Sequence, residues 1–126
     1  MAIHRYLLFT FLIFLFSECS DEVTSRTYPR LLTTDVSDIY SPEAFKAEII
    51  FINEKIPEHG FLWDSNPILY PDLSNTIDLG PATSTGTFTS SFNATLEDDK
   101  QYYMCSYARS SSNRIVLGNV VQFKKQ

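Results

Sequence analysis

The sequence predicts an all-β chain in which about seven strands form two sheets packed face to face. Three observations carry that expectation. First, 14% of the 126 residues are aromatic, with ten Phe, seven Tyr and one Trp, and flat, stiff rings suit a pleated surface better than a helix. Second, from Pro29 onward short apolar/polar alternations are interrupted by turn residues roughly every ten positions, the spacing of a sandwich or barrel. Third, Leu96 closes one alternation, Glu97-Asp98-Asp99-Lys100 turns the chain, and Tyr102 opens the next. A tyrosine so placed ties a sandwich corner by bonding its hydroxyl to backbone a few residues upstream.

The start of the chain stands apart. Arg5 supplies a positive charge, and the run 7–16 is apolar except for Thr10. Such a run covers only about half of a ~30 Å hydrocarbon core, so residues 1–19 read as a secretory signal rather than a membrane helix. Phe16-Ser17-Glu18-Cys19, followed by Ser20-Asp21-Glu22, resembles a bacterial lipoprotein signal of the surface-exported Bacteroidetes type. That resemblance implies lipidation of Cys19, membrane attachment through that lipid, and an outer-membrane lipoprotein exposed at the cell surface. Glu18 stands where such signals carry Gly, Ala or Ser, and ordinary signal cleavage close by is the alternative. Residues 20–28 are polar and unpatterned, a tether holding the domain 29–126 near the surface to which Cys19 is attached. With Cys19 lipidated, Cys105 is left unpaired.

The strands follow in order. Residues 30–36 form a first strand, and the preceding Pro29 suits an edge. After a turn at 39–43, residues 44–52 alternate, with Phe45, Ala47, Ile49 and Phe51 on one side; a helix from Pro42 is the rival, disfavoured by the β-branched ending. Residues 58–64 make the third strand, with His59, Phe61 and Trp63 on one face and Leu62 on the other. Trp63, the only Trp and placed mid-domain, is expected at the centre of the core. Pro67 and Pro71 mark a turn-rich connection to a short strand at 76–79. Residues 86–96 show the cleanest alternation, Phe88, Ser90, Phe92, Ala94 and Leu96 against Thr87, Thr89, Ser91, Asn93 and Thr95, which means one buried and one wet face. The tyrosine-bearing strand, a Ser/Asn hairpin loop at 110–113 and a closing strand at 115–123 complete the fold.

Chemistry is sparse. A formal net charge of -5 disfavours nucleic acid, whose binding draws most of its affinity from basic patches. His59 is the sole histidine of the mature chain, and no Gly-x-Ser-x-Gly elbow accompanies it, so no catalytic residue is assigned. No Cys/His spacing suits zinc, and Glu97-Asp98-Asp99 lacks the alternate spacing of calcium ligands; no metal or cofactor is expected. Two surfaces remain for binding. If Tyr102, Met104 and Ser106 point inward, Tyr103, Cys105 and Tyr107 point outward, and Leu62 joins them as a candidate aromatic binding face. The alternative is that these are cross-strand pairs stabilising the sheet. The loops at 53–57 and 109–114 are expected at one end of the sandwich, where Arg109 and Arg114 offer a locally basic candidate binding loop.

His59-Gly60-Phe61-Leu62-Trp63-Asp64-Ser65-Asn66-Pro67, Gly86-Thr87-Phe88, the run 96–108 with Tyr102, Tyr103, Tyr107 and Ala108, and Gly118-Asn119 resemble the fibronectin type III-like repeats of Bacteroidetes cell-surface lipoproteins. Asp98 and Lys100 stand where those repeats usually carry Pro and Thr, and Cys105 where they often carry Arg. The resemblance implies an immunoglobulin-like, fibronectin type III-like β-sandwich. The expected function is non-catalytic: adhesion, glycan binding or protein–protein interaction, with an unknown surface protein or glycan as partner. A structural spacer or accessory subunit with no ligand of its own is the alternative.

Overall fold

A computed structural model describes residues 29–126; the signal, Cys19 and the tether lie outside them. Among the described residues there is no helix. Eight strands form two antiparallel sheets: β1 (Arg30–Thr33), β2 (Phe45–Phe51), β3 (Glu58–Asp64), β4 (Asn75–Asp78), β5 (Gly86–Ser90), β6 (Tyr102–Arg109), β7 (Ile115–Leu117) and β8 (Val121–Phe123). One sheet has the order β1-β2-β5, the other β4-β3-β6-β7, with β8 also pairing β6 beyond β7. The turn expected at 39–43 is present, and the residues for which a helix from Pro42 is the rival form β2. β2 alternates through Ile49, with Phe45, Ala47 and Ile49 buried between exposed Lys46 and Glu48, whereas Phe51, expected on the same side, is exposed.

The inner faces of both sheets share one core. Phe45 and Ala47 of β2 pack with Phe61 of β3, Tyr102 and Met104 of β6, and Val121 and Phe123 of β8. Its hub is Phe45, not Trp63. The Phe45 ring is fully buried and lies 5.6, 5.1 and 5.3 Å from the rings of Phe61, Phe92 and Phe123. Trp63 is only half-buried and meets Phe92 edge-on at 4.8 Å, because it is the penultimate residue of β3 and sits where the sandwich opens.

The corner tyrosine does what its position predicts. Its hydroxyl accepts a hydrogen bond from the Glu97 backbone N–H at 3.0 Å, while its ring stacks on Phe123 at 5.7 Å. Tyr102→Phe keeps the ring and deletes that acceptor. It should cost about 0.5–1.5 kcal/mol in urea denaturation, the net worth of one such bond; an unchanged midpoint would show the corner to be held by packing alone.

Two strands are shorter than their patterns. The alternation of residues 86–96 continues to Leu96, but β5 ends at Ser90, because Ser90 opposes Phe45, the first residue of β2, and no partner lies beyond it. Phe92 and Leu96 still turn inward without a ladder. β1 ends at Thr33, whose groups are captured by the other sheet. Thr33 Oγ1 pairs with Ser106 Oγ at 2.8 Å and accepts from Ser106 N at 3.0 Å. Asn119 accepts from Thr33 N at 2.7 Å and donates to Thr33 O at 3.0 Å. The expected single strand at 115–123 is therefore two, parted at Gly118, where a Cβ would lie 2.2 Å from Ser106 Oγ and 2.7 Å from Thr33 Oγ1. Asn119→Ala should cost about 1–3 kcal/mol, because it orphans backbone groups of Thr33 as well as removing two bonds; calorimetric unfolding would measure it.

Candidate functional site

The strand directions put three connections at one end of the sandwich: residues 52–57 after β2, 79–85 after β4, and 110–114 after β6. Sequence reasoning brings the first and third together, and the structure does so through hydrogen bonds. Ser111 N donates to Lys55 O at 2.9 Å, and Ser112 Oγ donates to Glu54 at 3.1 Å. The second connection joins through Ala82 N to Ile56 O at 2.9 Å. Between them lies a cleft of about 600 Å³ whose wall includes Ile52, Ile56, Pro57, Pro81 and Ala82, with Asn53, Thr83 and Ser111 adding polar groups and Glu54 and Lys55 one charge of each sign. The residues 79–85 are the part sequence reasoning missed; their one signal was Gly80-Pro81 closing the short strand.

The arginines differ from the expectation of a basic loop. Arg109 is the last residue of β6 and opposes Glu58 across the ladder. Its Nε lies 3.8 Å from the Glu58 carboxylate and its Nη1 donates to Asn113 at 3.0 Å, so it braces the hairpin from which Asn113 turns with a left-handed backbone, φ 62°. Arg114 is exposed at the same end, and its backbone N–H donates to Ser110 Oγ at 3.2 Å.

The aromatic face is corrected outright. Tyr103, Cys105 and Tyr107 do leave the sheet on the side away from the core, opposite Asp64, Leu62 and Gly60. Yet Leu62 and Cys105 are fully buried, Tyr107 is 1% exposed, and Tyr103 is half-buried. The connection between β3 and β4 folds back, and Leu69 packs with Leu62, Cys105 and Tyr107 into a second apolar cluster. The Tyr107 ring also lies over Gly60, 3.3 Å from where a Cβ would stand. This face is a layer packed beneath a connection, and among the described residues no aromatic pair of the kind the cross-strand alternative expected is formed on it. The signal available in the sequence was Ile68-Leu69-Tyr70, three apolar residues held between two prolines.

Burial pushes the Cys105 thiol up from 9.0 to about 12. Since the thiolate is the reactive species, the native protein should resist an aromatic disulfide reagent at pH 8 and react once unfolded in urea. Burial first, then the neighbouring Glu58 and Asp78, also hold the Tyr107 phenol well above its ordinary value. Both groups lose their protons more readily when unfolded, so their contribution to stability is complete below about pH 9 and declines as pH rises from there. The slope is at most about 1.4 kcal/mol per pH unit for each group. Urea midpoints at pH 8 and at pH 10.5 would check the sign, and Cys105→Ser should flatten the decline.

His59 is a structural link: Nδ1 lies 2.7 Å from Gly80 O, and the ring meets Phe88 edge-on at 4.8 Å. Of the acidic run, Glu97 pairs with Lys100 at 3.4 Å and Asp98 with Lys125 at 2.9 Å. Among the described residues no three His, Cys, Asp or Glu side chains converge as metal ligands.

No family model, curated protein or solved structure matches the chain.

Proposed function

We propose that this chain is a non-catalytic binding module of the cell surface, built on a fibronectin type III-like sandwich and anchored through lipid on Cys19. The observation that carries the reading is the cleft of about 600 Å³, held open by hydrogen bonds between three separate connections. Loops fixed before a ligand arrives lose little conformational entropy on binding, and a mostly apolar recess with a few polar groups at its edge is the usual form of a recognition site. The strand order β1-β2-β5 against β4-β3-β6-β7, the tyrosine corner and Gly118-Asn119 support the fibronectin type III-like part. Adhesion, glycan binding and protein–protein interaction all use such a site. His59, held against Gly80 O, and the paired acids support a role without catalysis.

A glycan array and membrane-extract binding with the full-length chain test this, alongside Thr83→Trp, which should fill the cleft at an exposed position. A ligand retained by the wild type should be lost by the variant at unchanged melting temperature. Retention by the variant would rule the cleft out. The spacer reading has an observation of its own, the burial of Leu62 and Tyr107 beneath Leu69, and a wild type that retains neither glycan nor protein would favour it.

A further inference from the structure

The opposite end of the sandwich has a different character. β3 runs away from the cleft, so the connection after it, residues 65–74, lies at the far end with residues 34–44, 91–101 and the C-terminus. That connection is an ordered finger. Ile68 N bonds Asn66 Oδ1 at 3.0 Å, Tyr70 N bonds Ser74 Oγ at 2.9 Å, and Ser74 N returns to Tyr70 O at 2.9 Å. Leu69 roots it in the sheet at 6% exposure, while Ile68, Tyr70 and Leu73 stand 58%, 48% and 79% exposed. Single exposed apolar residues are ordinary; three large ones within six residues of one self-bonded loop are more than that scatter accounts for.

The charge around the finger says what it would meet. The far-end connections carry Asp35, Asp38, Glu43, Asp72 and the run Glu97-Asp98-Asp99 against Lys100, Lys124 and Lys125. The cleft-end connections carry Glu54 against Lys55 and Arg114. Among the connections, acidity is thus concentrated at the end from which the finger springs, and Asp72 stands on the finger itself.

We propose that residues 65–74 dock a partner protein through a segment that combines apolar side chains with lysines or arginines, Ile68, Tyr70 and Leu73 packing against the apolar ones. An acidic margin steers a basic partner to the finger and repels acidic ones, and the preformed loop keeps the ordering cost low. The direction of the chain agrees, and here the inference rests on the anchoring proposed above. β1 begins opposite Phe51, at the cleft end, and a nine-residue tether (20–28) reaches at most about 30 Å. An anchored domain therefore turns the end from which the finger springs away from the membrane.

The test is selection from a random peptide display library with the full-length chain. The expected peptides combine aromatic or aliphatic residues with Lys or Arg. Their affinity should fall at least about tenfold for the double variant Tyr70→Ser/Leu73→Ser, the scale of one hot-spot contact, and severalfold from about 0.1 M to about 1 M salt. Asp72→Lys, which leaves the apolar side chains in place, should weaken them without changing the melting temperature. Peptides lacking a cationic bias, peptides that bind the double variant as well as the wild type, or no selected peptides would each overturn the proposal. Peptides that survive the loop variant but are lost with Thr83→Trp would reject the finger and leave the cleft standing; loss of a cleft ligand with loop-dependent peptides intact would do the reverse.

Discussion

Phe45→Ala should cost about 3–5 kcal/mol, the usual range for truncating a fully buried phenylalanine. Its ring is where the sheets meet: it touches Phe61 of the five-stranded sheet, Phe123 at the end of that sheet, and Phe92 in the connection that crosses between them. Removing it takes away the transfer free energy of one aromatic and leaves a cavity whose walls are other rigid rings, which relax poorly into the space. A domain of this size has only about 5–15 kcal/mol of stability in total, so the variant should unfold cooperatively at a much lower urea concentration. Trp63→Ala should cost distinctly less, because that side chain is partly exposed at the margin of the core. If the two variants are equally damaging, the placement of the hub at Phe45 is wrong.

Gly60→Ala is expected to be comparably severe, by a different mechanism. A Cβ at position 60 would lie 1.8 Å from Ile77 O and 2.9 Å from Ile77 C. Both are backbone atoms of β4, so no rotamer change relieves the clash. Gly60 faces Asp78 on β4 and Tyr107 on β6, and an added methyl must push β4 off the edge of the sheet, whatever the Tyr107 ring does. Overpacking usually costs about 1–3 kcal/mol where side chains can adjust, and a clash with backbone belongs at or above the top of that range. Amide hydrogen exchange should show β4 losing protection first, with β2 and β5 little changed. A variant with intact β4 protection and an unchanged urea midpoint would refute the close approach.

The candidate sites divide along the same physical line as the fold. The end where residues 53–57 and 109–114 meet follows from strand direction alone, since β2 leads into β3 and β6 runs antiparallel to β3, so the connections after β2 and β6 emerge on the same side. Which side chains remain free there does not follow. Arg109 is placed by period, but its neutralisation by Glu58 depends on the ladder register, Glu58 opposite Arg109, which alternation leaves open. The outer face shows the same limit. Period two assigned Tyr103, Cys105 and Tyr107 to the outward side, yet outward from a sheet is not outward to water when a connection folds over it.

Local pattern determined most of the architecture of this protein. The alternation of residues 44–52 and 58–64, the aromatic richness and the interval from Leu96 to Tyr102 specify strands, faces and a corner, because each depends on neighbours within a few residues. Tertiary structure alone decided the rest. It ended β5 at Ser90 for want of a partner, parted the last strand where Gly118 passes over Thr33 and Ser106, and made Phe45 the hub. It also closed Leu69 over the tyrosine face. Each depends on residues far apart in the chain arriving at one place, and burial is a property of that arrival rather than of the residue.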